Sequence, residues 1–224
     1  MGFPGISQKL KQLILNARRD HRLMHLFARV FAEYVVDAIL RLGVELPFGL
    51  PKSGIIVDAG SGYLTELSGG LVKYALQNED LVLYLVDSGF GPSLIISETL
   101  RLLGLPKNIV FVNKNIELFP LQNVDMATLL FSLHEMSRKL YWAELMRSFG
   151  IVRLSSEMLS RELPILKRVL SSIYRILKEG GKVIVVDKEF DDYDAEFVRR
   201  IVGEVFSAIR TERIGESRFV EAKK

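Results

Sequence analysis

Cysteine is absent from the 224-residue chain, so disulfides, thiolate metal sites and cysteine nucleophiles are excluded. Long apolar runs are missing too. Nothing approaches about 18 uninterrupted apolar residues, and the first residues lack a basic stretch followed by an apolar core and a cleavage site. A cytosolic protein is expected. No repeat or low-complexity tract is visible. Charge of one sign does not dominate, since the net charge is only +3, but it is unevenly spread. Residues 1–30 hold six basic side chains (Lys9, Lys11, Arg18, Arg19, Arg22, Arg29) against Asp20 alone. That bias admits two readings: a solvated helix face, or contact of Arg18, Arg19 and Arg22 with an anionic group of a substrate or a membrane surface. Frequent Lys, Arg and Glu without Cys is compatible with a thermophile.

The chain is organised around GIIVDAGSGY, residues 54–63. Ile55, Ile56 and Val57 form a β-branched run without polar alternation, which suits a parallel strand covered on both faces. Asp58 ends the run. Gly60 and Gly62 then bracket Ser61, so the backbone turns sharply and a ligand can approach main-chain N–H groups without a Cβ in the way. A helix over residues 63–76 is expected to point its N-terminus at that ligand.

Upstream, apolar residues recurring at three and four (Leu23, Phe27, Val30, Phe31, Tyr34, Val35, Ala38, Ile39) predict a packed helical face within residues 7–42. Downstream, the pattern predicts strands at 81–86, 109–112, 124–131 and 182–186, and helices at 92–103, 164–178 and 195–205. Two short strands close the chain, at 208–213 and 218–222. Gly69 and Gly70 inside the first of the interstrand helices imply either close packing or a break there. Alternating strands and helices define an α/β protein with a parallel sheet and helices on both faces. Ligands of such sheets sit at the carboxyl ends of the strands. The turn 58–62, Asp87, the stretch 113–117 and the pair His134 and Glu135 therefore share one rim. Residues 136–163, with the only tryptophan, Trp142, are long for a connection.

VDAGSGYL, LYLVDS, NIELFP, VDMATLLFSLHEM and ILKEGGKVIVVD resemble, in order and spacing, the seven-stranded, class I S-adenosylmethionine-dependent methyltransferases, in particular the ubiquinone and menaquinone biosynthesis type. The resemblance covers about residues 54–187. It implies a Rossmann-like three-layer sandwich, mostly parallel, with an antiparallel last strand. The length fits one domain over 1–224, with a helical extension (1–50) and a catalytic core (51–224), in which residues 136–163, outside the shared cofactor core, are expected to form a lid. By the same resemblance Asp58, Gly60, Ser61 and Gly62 hold the methionine end of S-adenosylmethionine. Asp87 takes the ribose hydroxyls beside Ser88, Asn115 meets the adenine amino group, Ile116 lies against the ring, and Phe131 borders the site. Asn115 stands where the family usually has Asp, and Leu64 where it usually has a third glycine. His134 and Glu135 are the catalytic candidates at a small-molecule acceptor.

Rival functions leave marks of their own. A nicotinamide-dependent oxidoreductase needs G-x-G-x-x-G, and Thr65 occupies the last position. Exocyclic-amine methylation of nucleic acid needs an Asn/Asp-Pro-Pro-aromatic loop where Ser132-Leu133-His134-Glu135 stands. Cytosine-5 RNA methylation and arsenic methylation both need cysteine. Ribose or ring-nitrogen methylation of RNA lacks an appended RNA-binding module. A non-catalytic S-adenosylmethionine-binding protein leaves no mark, because methyl transfer rests mainly on positioning and desolvation. For Asp191, Asp192 and Asp194 a solvated loop is expected; no spacing there makes a metal site.

Overall fold

Strands rich in buried β-branched and leucine side chains pair in register, and the computed structural model shows how. It describes residues 21–41, 46, 48–64, 67–133, 136–137, 155–188, 194–214 and 217–224. These contain α1 (His21–Arg41), β1 (Gly54–Ala59), α2 (Leu67–Leu76), β2 (Leu81–Asp87), α3 (Phe90–Leu102), β3 (Ile109–Asn113) and β4 (Val124–Leu130). They continue with α4 (Ser156–Ile176), β5 (Leu177–Lys188), α5 (Ala195–Gly203), β6 (Ser207–Ile214) and β7 (Ser217–Lys223).

The seven strands form one sheet in the order β3-β2-β1-β4-β5-β7-β6. All neighbours are parallel except β7, which runs against both β5 and β6. From β1 the chain steps outward to β2 and β3, then returns to the other side of β1 as β4. The order therefore reverses between β1 and β4, and a crevice opens at their carboxyl ends. Alternation along β1 and β4 sorts side chains between two cores. Val57, Ala59, Ala127 and Leu129 face the core of α4 and α5, while Ile56, Met126 and Leu130 face that of α1, α2 and α3.

Several expectations move by a turn or more. The helix after the glycine turn starts at Leu67, because Gly60, Gly62 and Leu64 hold left-handed φ values of 73°, 56° and 56° that an α-helix cannot include. Gly69 is a packing requirement: a Cβ there would lie 2.8 Å from the Leu64 carbonyl oxygen and 3.4 Å from Ile39 Cγ1 on α1. The helix runs through it unbroken. The fourth helix begins at Ser156, with the Ser155 hydroxyl accepting from Met158 N, and carries Pro164 in its interior. Residues 156–163 of the proposed lid are therefore helical, as the first two turns of α4, and its residues 138–154 lie outside the described residues. The helix ends at Ile176, before Gly180-Gly181, because Leu177 already pairs with Val124 and a bulge follows.

The α1 face is rotated as well. Met24, Ala28, Phe31, Ala32, Val35 and Ile39 are buried against α3 and α2, whereas Leu23, Val30 and Tyr34 are exposed. Periodicity weighted the bulky residues, but Ala28 and Ala32 let helix backbones approach more closely. Arg22 falls in the first turn of α1, and Arg18 and Arg19 lie outside the described residues. Asp194 caps α5 through Phe197 N at 2.8 Å. Asp191 and Asp192 lie outside the described residues. Among the described residues no helix is long and apolar enough to cross a membrane.

Candidate cofactor and acceptor site

Parallel register sets Asp58 beside Thr128 across the β1–β4 pair. Both side chains point to the α1–α3 side of the sheet, as their alternation with Val57 and Ala127 requires. Thr128 Oγ1 donates to Asp58 Oδ1 at 2.7 Å, and Ser61 Oγ donates to the Asp58 carbonyl at 2.8 Å. Asp58 is wholly buried, and its Oδ2 has no hydrogen-bond partner among the described residues. Burial pushes its carboxyl up to about 6; the Thr128, Ser68 and Ser61 side chains pull it down in part, and the charge of Asp87 pushes it further up.

Asp87 ends β2 and staples two loops together. Its Oδ2 accepts from Gly62 N at 2.9 Å and its Oδ1 from Gly89 N at 2.6 Å, just before α3. Burial raises its pKa above the ordinary carboxylate range, and the bonds from Gly89 and Gly62 lower it in part. Two charge-assisted acceptances leave lone-pair directions on both oxygens for further donors.

The turn differs from its sequence expectation in one chemical respect. Gly60 N and Ser61 N both donate to the Val86 carbonyl, at 2.7 and 3.4 Å, and Leu64 N donates to the Ser61 carbonyl at 3.2 Å. With Gly62 N held by Asp87, these four main-chain donors are spent inside the protein. None of these four described donors is therefore left for an anionic ligand. Beside the turn, two buried or half-buried carboxylates create a negative field that favours a cationic ligand and repels a pyrophosphate.

Past β4 the chain bends back over the same turn. Phe131 adopts φ 57°, a sparsely populated region for a bulky side chain, while its N–H donates to the Val186 carbonyl at 2.6 Å. Ser132 Oγ donates to the Ala59 carbonyl at 2.8 Å. The approach is close enough to require glycine opposite: a Cβ on Gly60 would sit 2.7 Å from Ser132 Cβ and 3.0 Å from Met136 Cε. Gly60→Ala is therefore expected to destabilise the fold by about 2 kcal/mol through overpacking and a left-handed φ. Gly49→Ala, in open space, should stay within about 0.5 kcal/mol of the parent. Urea titration of both variants checks this, and equal midpoints would overturn it.

The remaining predicted residues are placed as follows. Ser88 is exposed at the β2 exit. Asn115 is exposed and caps a short 3₁₀ turn, its Oδ1 accepting from Glu117 N at 3.0 Å. One lone pair of the oxygen expected at adenine is thus engaged locally. Ile116 is buried in the core with Val86 and Phe119. Register brings Asn113 beside Asp87, so these loops adjoin. His134 and Glu135 lie outside the described residues; their neighbours Leu133, Met136 and Ser137 are described. Sequence reading missed Thr128 and Ser132, polar side chains within or just beyond the apolar β4 run, and Phe90, an exposed aromatic at the start of α3.

No protein-family model matches the chain, and no curated protein matches it in sequence. Solved structures do match in fold. The chain superposes on an O-methyltransferase family protein from Burkholderia thailandensis with a TM-score of 0.60 at 14% identity, covering 93% of this chain and 61% of that one. Human N-acetylserotonin methyltransferase in complex with S-adenosylmethionine gives 0.57 at 14% identity over 95% of this chain and 59% of that one. A methyltransferase from Aquifex aeolicus dependent on the same cofactor gives 0.53 at 19% identity over 86% and 88%. The chain thus spans about three-fifths of the length of the first two. With the strand order above, these likenesses give it the Rossmann-like fold of class I methyltransferases.

Proposed function

We propose that this chain binds S-adenosylmethionine at the β1–β2 rim and transfers its methyl group to a hydroxyl oxygen of a small molecule. The observation that carries the reading is the pairing of Asp58 and Asp87 around a turn whose own N–H groups are spent. Such a site suits a ligand with positive charge and a vicinal diol, and the N–H groups of Gly60, Ser61, Gly62 and Leu64 are not free for a dinucleotide's pyrophosphate. The oxygen acceptor, broader than the ubiquinone and menaquinone type, follows the O-methyltransferase character of the Burkholderia thailandensis protein that shares the fold.

The residues fit this cofactor. Asp87 keeps acceptor capacity for two ribose hydroxyls while it holds Gly62 and Gly89. Asp58 acts from behind the turn, its unpartnered Oδ2 contributing negative potential where the ammonium lies. Asn115 and Ser88 border the adenine, with Phe90 offering an apolar face. When bound, S-adenosylmethionine supplies a methyl on a sulfonium: the acceptor oxygen forms the new bond, and the S–C electron pair returns to sulfur. The chain must then orient the acceptor in line, exclude water and remove the hydroxyl proton.

Calorimetry with S-adenosylmethionine, S-adenosylhomocysteine and NAD tests the reading. The first two are expected to bind and NAD is not. Asp87→Ala should weaken S-adenosylhomocysteine by about 2 kcal/mol, roughly 30-fold, as charge-assisted bonds are lost from a sheltered site. Preference for NAD, or unchanged affinity in the variant, would overturn it.

A further inference from the structure

The inward face of α4 reads Leu159, Glu162, Leu166, Val169, Leu170 and Ile173, each no more than 2% exposed. A carboxylate stands where helical spacing calls for a leucine. Burying it is costly unless it is held by donors, so its presence needs a structural return that an apolar residue could not give. Its Oε2 accepts from the hydroxyl of Ser137 at 2.8 Å, 25 residues away in sequence. Ser137 is itself fully buried.

Ser137 closes the segment that leaves β4. The other end of that segment is fixed to the cofactor turn by Ser132 on the Ala59 carbonyl, and Met136 N donates to the Ser132 carbonyl at 3.1 Å. Leu133 is buried in the same core as Leu159 and Leu166, and Met136, Met158 and Leu163 pack against it. The segment is thus pinned at one end to the turn and at the other to α4.

We propose that Glu162 is a positioning residue: through Ser137 it fixes the span between β4 and residue 137, and so sets the side of the site that the acceptor meets. The functional half of this rests on the methyltransferase reading, in which the acceptor approaches past β4. The pin itself can be measured without any ligand. Amide hydrogen exchange of residues 131–133, 136 and 137 in the whole, ligand-free chain is compared among the parent, Ser137→Ala, Glu162→Ala and Glu162→Gln. Exchange there should accelerate about tenfold or more in both alanine variants, with β2 and β5 amides unchanged. Glu162→Gln keeps an amide oxygen to accept from Ser137 and should stay near the parent. Parent-like exchange in both alanine variants overturns the proposal. So does acceleration spread evenly over the sheet, or a Gln variant as fast as the Ala one. Calorimetry of the parent with S-adenosylhomocysteine runs alongside; no binding there would sink the methyltransferase reading and leave the pin to be judged on exchange alone.

Discussion

Asp58→Asn is expected to gain roughly 2 to 2.5 kcal/mol of stability relative to the parent chain as pH rises from about 4 to about 7. Asp58 is buried, with its carboxyl pushed up to about 6 from 3.8. The folded chain therefore binds more protons than the unfolded one between those two values. The group's favourable contribution is fully present below the unfolded value and is lost as pH rises through the folded one. Asparagine does not titrate and can still accept the Thr128 hydroxyl at its Oδ1. Leaving its amide N–H₂ unpartnered where Oδ2 now lies carries a penalty, but that penalty is the same at every pH, so the slope of the difference curve is the test. Urea unfolding of both chains across this range supplies it, and a flat difference would show that Asp58 ionises as it does in water. Cofactor binding should be linked to the same proton. A cationic ligand beside the turn lowers the pKa of Asp58, so S-adenosylmethionine affinity should rise as pH approaches 6 and level off above it. Calorimetry in two buffers of different ionisation enthalpy reads the proton released.

The central strands β1, β2 and β4 were legible because their side chains are buried or half-buried on both faces and they appear as nearly continuous apolar runs. The predicted starts at 81, 109 and 124 coincide with the starts of β2, β3 and β4. Asp87 and the glycine turn were legible because they are local features, a carboxylate at a strand end and two glycines around a serine. What depended on register was not. Thr128 meets Asp58 only because β4 returns beside β1, 70 residues later, and nothing local to Thr128 announces that. The spent N–H groups of Gly60, Ser61 and Gly62 were hidden for the same reason, since their acceptors are the Val86 carbonyl and the Asp87 carboxylate on the neighbouring strand. Glu162 was obscured by Pro164. Proline favours the first turn of a helix, so the helix was started there, and a buried carboxylate two residues earlier was read as part of a loop.

His134→Ala is expected to lower kcat by about 10²–10⁴-fold, with S-adenosylmethionine affinity within about twofold of the parent. The proposal rests on the flanks of the residue. On one side, Phe131 turns the chain out of β4, Ser132 fastens it to the Ala59 carbonyl, and Leu133 anchors it in the core. On the other, Met136 returns over Gly60, close enough that a Cβ there would meet its Cε at 3.0 Å. Described contacts on both sides of His134 in sequence thus lie against the glycine turn, and this motivates the test. A hydroxyl acceptor must lose its proton as the new O–C bond forms, and an imidazole with an ordinary pKa near 6.5 suits that role at neutral pH. Loss of the base should also remove the acidic limb of the kcat profile. Glu135 either orients the imidazole or, on the opposite side of the chain, caps the following segment. Glu135→Gln separates these, the first lowering kcat and the second lowering stability alone. With acceptor and cofactor saturating, a His134→Ala chain that keeps parental turnover and the parental pH profile would remove His134 from the chemistry and leave proton removal to another group.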